Sequence, residues 1–206
     1  MAEWSDFYGR SQSAAATLAN LAVHMPMFLE IVRGDSPRVI EVGVGTGDMS
    51  RFLAFLGCTV VGVDNDPEVL ARVVEKSAGQ SGLEYRLEEA FTLGEVFPSG
   101  AFDVAFSQGF FEHFSDEQIR SLCSQQLAVA HRVVFSVPSR WYPNQDFGDE
   151  RLLGADTWEE ILRPVGRVSA RYYDELPVKF WMRQLRRVLR LPHPGRHVLV
   201  LVDAMT

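Results

Sequence analysis

The chain has 206 residues, 47% of them hydrophobic and 23% charged, which suits one folded α/β domain with a full core and no second domain. Its net charge of −7 argues against a broad electrostatic footprint for nucleic acid while leaving room for a small recognition patch. With Cys58 and Cys123 the only cysteines, a disulfide framework and a zinc-type spacing are excluded, and a reducing, cytoplasmic setting fits.

The opening Met-Ala-Glu-Trp-Ser-Asp lacks the basic stretch and apolar run of a secretory signal. The apolar stretch from Ala14 to Val32 is broken by Asn20, His24, Pro26 and Glu30, so no membrane span is expected. Residues 11–33 predict one or two helices interrupted at Pro26. A buried strand over 38–42 runs through a glycine turn into an amphipathic helix over 48–57, and a second strand covers 59–63. Asp66-Pro67 starts a helix reaching about 77, with Asp66 as cap and Pro67 at the first helical position. A turn at 79–82 precedes a weaker third strand, 83–87. The fourth strand is 102–106, followed by a helix from Asp116 to Ala130 and a fifth strand over 132–137, stopped by Pro138. Residues 138–155 are irregular, 157–162 form a short helix, and a strand over 166–172 leads to a basic helix, 178–189, and a last strand, 197–202. This alternation implies a mostly parallel sheet with helices on both faces.

The motif with chemical content is Val39-Ile40-Glu41-Val42-Gly43-Val44-Gly45-Thr46-Gly47-Asp48. A glycine turn after one strand, with Asp64 ending the next, is a nucleoside-binding arrangement: backbone approaches the ligand closely and the acid accepts from a ribose diol. A dinucleotide fingerprint requires glycine at position 48, where this chain has Asp, which would repel a pyrophosphate at that helix start. The carboxylate is compatible with a cofactor that carries a sulfonium and an ammonium and no phosphate. No phosphate-binding P-loop sequence is present.

The order E-V-G-V-G-T-G followed by V-D-N-D-P resembles the class I S-adenosylmethionine-dependent methyltransferases. The resemblance covers about residues 36–206 and implies a Rossmann-like, doubly wound sheet of seven strands in the order 3-2-1-4-5-7-6. It implies further that strand seven is antiparallel and that residues 1–35 would form a helical cap on this single domain. It implies a cofactor site built from Glu41, Gly43, Gly45, Gly47, Asp64, Asn65, Glu89, Ala90, Ser107 and Gln108. The glycines would face the amino-acid part, Asp64 the ribose, Asn65 and Glu89-Ala90 the adenine, and Ser107 with Gln108 the methionine moiety; Phe91 would add an apolar wall. Glu89 stands where the family usually has Asp.

Glu112-His113 follows the fourth strand, on the lip where an acceptor should arrive, as a similar E-H does in many small-molecule methyltransferases. Methyl transfer needs alignment and, for a hydroxyl, removal of a proton, and imidazole exchanges protons near neutrality, so His113 is the candidate base. A histidine that merely closes the cofactor pocket is the alternative. Some relatives hold magnesium through E-x-x-E-H; here Gly109 replaces the first acid, and although Asp146, Asp149 and Glu150 could add carboxylates, no metal is expected.

The aromatic and polar segment after the fifth strand offers Arg140, Trp141 and Tyr142 as acceptor contacts, with Trp4, Phe7 and Tyr8 as a possible lid. Arg183, Arg186, Arg187 and Arg190 form a basic stripe read as a solvated face. These features imply methyl transfer to a small molecule, with oxygen as the favoured acceptor atom. The alternatives are a nucleic-acid or protein methyltransferase, or a non-catalytic cofactor-binding protein. Nucleic acid is disfavoured by net acidity and by Ser107-Gln108-Gly109-Phe110 standing where base-amine methyltransferases carry a Pro-Pro motif. The oligomeric state is not readable.

Overall fold

The computed structural model describes residues 13–35, 37–143, 145, 148–175, 188–189 and 194–205. Its elements are α1 (Ala14–Val23), α2 (Met25–Ile31), β1 (Arg38–Val42), α3 (Asp48–Phe55), β2 (Thr59–Asp64), α4 (Pro67–Lys76) and β3 (Leu83–Leu87). Then follow α5 (Leu93–Val96), β4 (Phe102–Gln108), α6 (Asp116–Val129), β5 (Ala130–Pro138), α7 (Ala155–Leu162), β6 (Arg167–Glu175) and β7 (Gly195–Asp203). The expected basic helix lies outside the described residues apart from its last two.

One seven-stranded sheet has the order β3-β2-β1-β4-β5-β7-β6. Its first five strands are parallel and β7 runs antiparallel to both β5 and β6. The central strands are continuous runs of β-branched and aromatic residues because helices cover both faces. Alternation splits them between two cores. Ile40, Val42, Ala105, Phe135 and Val137 face α6 and α7, while Val39, Val104, Phe106 and Val134 face α2 and α3.

Helix starts follow their local signals. Asp66 accepts from Glu68 N (2.8 Å) and Val69 N (3.3 Å) ahead of Pro67. Ser115 and Gln118 form a reciprocal capping box on α6. The break between α1 and α2 falls at His24 rather than Pro26, which sits in the first turn of α2, where its missing N–H is harmless.

His24 also fastens this helical pair to the sheet. It is 1% exposed, and its Nδ1 lies 2.6 Å from the hydroxyl of Tyr173 on β6, which in turn bonds Ser136 on β5. The ring of His197 on β7 stands edge-on to His24 at 5.1 Å and stacks on Tyr173. Arg171 reaches buried Glu30 of α2 at 2.8 Å. Among the described residues no single helix is long and apolar enough to cross a membrane. The pair α1–α2, bent by 63°, reaches that composition only jointly, and Met27, Phe28 and Ile31 of α2 are buried.

Candidate functional site

Strand order reverses between β1 and β4, and their carboxyl ends leave the crevice where open α/β sheets bind ligands. A cavity of about 290 Å³ lies there, a size suited to a nucleoside. Gly43 and Gly45 form its floor, with φ of 78° and 50° that other residues rarely adopt. A Cβ on Gly43 would come within 2.9 Å of the Phe110 ring, which lines the same cavity. Gly43→Ala should therefore strain the turn and push Phe110 inward. Titration with S-adenosylhomocysteine should show affinity reduced by about tenfold or more.

Asp64 lies at the end of β2 and lines the cavity. Its Oδ2 accepts from Val44 N and its Oδ1 from Asp66 N, each at 3.0 Å, so one carboxylate holds the glycine turn and the start of α4 in register. Burial raises its pKa, against the lowering effect of these N–H donors. Asn65 Nδ2 stands 3.4 Å from Glu89 Oε2, pairing the ends of β2 and β3 across the cavity mouth. Ala90, Phe91, Phe114 and Glu88 complete this end.

The cavity thus brings together Gly43, Gly45, Asp64, Asn65, Glu89, Ala90 and His113. Glu41, Gly47, Ser107 and Gln108 do not line it. Glu41 shares the face of Val39 and meets Ser50 of α3, whose hydroxyl donates to its Oε2. Gly47 caps α3 at φ 72°, packed under Val73 and the Tyr85 hydroxyl. Ser107 is buried on the α6 side, and Gln108 takes the opposite face by strand alternation. Trp141 packs on Tyr172 (5.0 Å between rings), Arg140 on Asp156 (2.6 Å) and Tyr142 on His197 (5.3 Å), all away from the cavity lining. Trp4, Phe7 and Tyr8, and the arginines at 183, 186, 187 and 190, lie outside the described residues.

His113 sits in a 3-10 turn, Phe111–His113, after β4, and lines the cavity. Its Nδ1 is 2.8 Å from Asp149 Oδ1. Among the described residues no cluster of three or more His, Cys, Asp or Glu side chains is arranged to hold a metal. Sequence reasoning assigned no part to Glu88, Arg151 or the His24–Tyr173–Ser136–His197 group. Their partners lie tens of residues away, and no local pattern marks them.

Four buried groups are held uncharged. Burial, aided by Coulombic repulsion between them, lowers His24 from 6.5 to about 3; burial also lowers His197, to about 4, against the raising effect of Asp174. Burial raises Glu41 and Glu112 from 4.5 to about 8 each, the second beside the carboxylates of Glu150 and Asp149. Below pH 6.5 the unfolded chain takes up protons on both histidines that the folded protein refuses, so stability falls toward acid. Above pH 4.5 the unfolded chain releases protons that the folded glutamates retain up to about pH 8, so stability falls toward base. Between 4.5 and 6.5 the two effects offset each other. Melting temperature should therefore plateau across that window and drop on either side. A melting temperature that climbs from pH 6.5 to 8 would contradict the assignment of neutral Glu41 and Glu112.

The chemistry of the cavity fits S-adenosylmethionine. Backbone at two left-handed glycines permits close approach, the carboxylates of Asp64, Glu88 and Glu89 suit a cationic ligand, and Phe91, Phe110 and Phe114 offer an apolar wall. Comparison with known proteins agrees. Residues 39–132 match the family model described as a methyltransferase domain. A ubiquinone biosynthesis O-methyltransferase of Pseudomonas syringae pv. tomato is 32% identical over 106 residues, 50% of this chain and 45% of the relative. The chain thus matches about half the length of such curated relatives. A SAM-dependent methyltransferase from Archaeoglobus fulgidus superposes with a TM-score of 0.68 at 14% identity, covering 90% of this chain and 93% of that one. The magnesium protoporphyrin IX methyltransferase of Synechocystis, solved with SAM bound, superposes with a TM-score of 0.62 at 16% identity, covering 98% and 89%. At those identities the likeness speaks for the fold alone. Residues 39–132 thus carry a methyltransferase domain, and the switch-point cavity and the seven-stranded order with its antiparallel β7 give the chain the fold of the class I S-adenosylmethionine-dependent methyltransferases that it resembles.

Proposed function

We propose that this protein transfers a methyl group from S-adenosylmethionine to a hydroxyl of a small molecule in the cytoplasm. The observation that carries the proposal is the placement of His113. Its ring lines the same cavity as Gly43, Gly45 and Asp64 and is held by Asp149 at 2.8 Å. S-adenosylmethionine, when bound, supplies a methyl group on a sulfonium that leaves as a neutral thioether. The chain's part is to bind that group, align the acceptor and take its proton.

In this reading the backbone of Gly43 and Gly45 and the carboxylate of Asp64 hold the nucleoside, with Asn65, Glu89 and Ala90 at its base. Glu41, Gly47, Ser107 and Gln108 support the site from behind. His113 receives the acceptor proton. Arg140, Trp141, Tyr142 and Tyr8 are assigned to the acceptor side on sequence alone. The names of the curated relatives support oxygen as the acceptor atom, and the net charge of −7 supports a small molecule over nucleic acid.

The test is transfer of labelled methyl from S-adenosylmethionine to a panel of hydroxylated aromatics and hydroxy acids, with transfer RNA and total protein alongside. Labelling of the hydroxyl compounds is the expected result. Labelling confined to RNA or protein would overturn the acceptor class and leave the cofactor assignment intact.

A further inference from the structure

We infer that Asp149 and Arg151 are positioning residues for His113: Asp149 orients the imidazole, and Arg151 clasps the segment carrying Asp149 onto the turn carrying His113. The inference rests on the reading of His113 as the base.

The two segments are 36 residues apart in sequence. Arg151 joins them by bracketing His113 on both sides. Its backbone N–H donates to Glu112 O at 2.9 Å, its Nη1 donates to Phe114 O at 2.8 Å, and its Nη2 pairs with Asp116 Oδ1 at 2.6 Å. The residue before His113, the residue after it and the first residue of α6 are thereby all tied to one guanidinium-bearing residue. Within the clasp, Gly148 N donates to Glu150 Oε2 at 2.9 Å, and Gln145 Nε2 donates to Glu150 O at 2.8 Å.

Glu112 is 2% exposed and its Oε2 has no hydrogen-bond partner among the described residues. The clasp places Asp149 and Glu150 beside this uncharged acid. The contact that this placement creates is Asp149 with His113. A carboxylate only accepts, so a neutral His113 must carry its proton on Nδ1, which leaves Nε2 unprotonated. Asp149 therefore selects the tautomer, and Arg151 holds Asp149 in place. The charged or titratable groups around His113 are Asp149, Glu150 and Arg151 from the clasp, Glu112 and Asp116 beside its own turn, and Asp64, Glu88 and Glu89 across the cavity.

The test reads the tautomer directly, without an acceptor. Long-range proton–nitrogen spectra of the protein labelled on its five histidines give each ring's protonation pattern, and His113→Gln identifies the His113 signals by their loss. The wild-type protein should show His113 protonated on Nδ1 with Nε2 bare. Asp149→Asn, at an exposed side chain, should shift the pattern toward a mixture. Arg151→Met should do the same, with Arg151→Lys restoring part of the wild-type pattern. Affinity for S-adenosylhomocysteine should stay within about twofold in Asp149→Asn, because that residue does not line the cavity. His113 signals unmoved by Asp149→Asn, or a wild-type ring protonated on Nε2, would overturn the inference. Full turnover in His113→Ala would instead sink the reading of His113 as base, while the spectra still judge the pairing.

Discussion

Replacing His113 with alanine should lower turnover about a hundredfold or more at saturating acceptor, while affinity for S-adenosylhomocysteine stays nearly unchanged. The expectation follows from where the side chain stands. The ring lines the cavity that Gly43, Gly45 and Asp64 also line, yet its hydrogen bond goes to Asp149 on the segment after β5. The residue therefore belongs to the acceptor side of the site as much as to the cofactor side. Its bond to Asp149 draws the ring toward the acceptor side, so its removal should cost the cofactor little. A positioned base contributes about two to four powers of ten, and that is the size of loss expected here. If kcat is unchanged in His113→Ala with saturating acceptor, the base is another group and His113 only closes the pocket.

Asp64→Ala should weaken S-adenosylhomocysteine binding by about ten- to a hundredfold, equivalent to about 1.5–3 kcal/mol for lost charge-assisted contacts. Two losses combine. The proposed ribose contact disappears, and so do the bonds to Val44 N and Asp66 N that shape the turn, both at 3.0 Å. Asp64→Asn separates them, because an amide oxygen still accepts one of these N–H groups but carries no charge. Its affinity should fall between wild type and Asp64→Ala, and its melting temperature should lie closer to wild type. Calorimetry checks the affinity and thermal denaturation checks the fold. Unchanged affinity in Asp64→Ala would remove this residue from the cofactor site.

Much of the core was legible from residue pattern. Val39-Ile40-Glu41-Val42 and Phe102-Asp103-Val104-Ala105-Phe106 read as strands because a parallel sheet covered on both faces makes nearly continuous apolar runs. Asp66-Pro67 and Ser115 with Gln118 read as helix starts because capping is local chemistry. Strand direction is not local, and the antiparallel β7 came from the resemblance to a family, not from periodicity. The helix break at His24 was misplaced at Pro26 because proline is tolerated in a first helical turn. Residues 90–96 hold a 3-10 turn and the four-residue α5, too short for any period to register.

The site was legible where chain neighbours share the work. Gly43, Gly45 and Asp64 belong to a motif with fixed spacing, and they meet in the cavity. Asp149 entered the sequence reading only as a spare carboxylate for a metal, since no spacing rule links positions 113 and 149. Arg151, which makes three contacts to residues 112–116, gave no signal at all. Arg140, Trp141 and Tyr142 were chosen for composition, and they pack on α7, β6 and β7 rather than on the cavity.

The most direct measurement is calorimetric titration of the purified protein with S-adenosylmethionine and S-adenosylhomocysteine, with NAD as control. Asp48 at the start of α3 in place of a third fingerprint glycine, and the carboxylates of Asp64, Glu88 and Glu89 around the cavity, favour a cation over a pyrophosphate. Saturable binding of both sulfur nucleosides, with no heat from NAD, is the predicted result. Binding of NAD with silence from the sulfur nucleosides would contradict the reading of the glycine turn on which the assignment of the whole site depends.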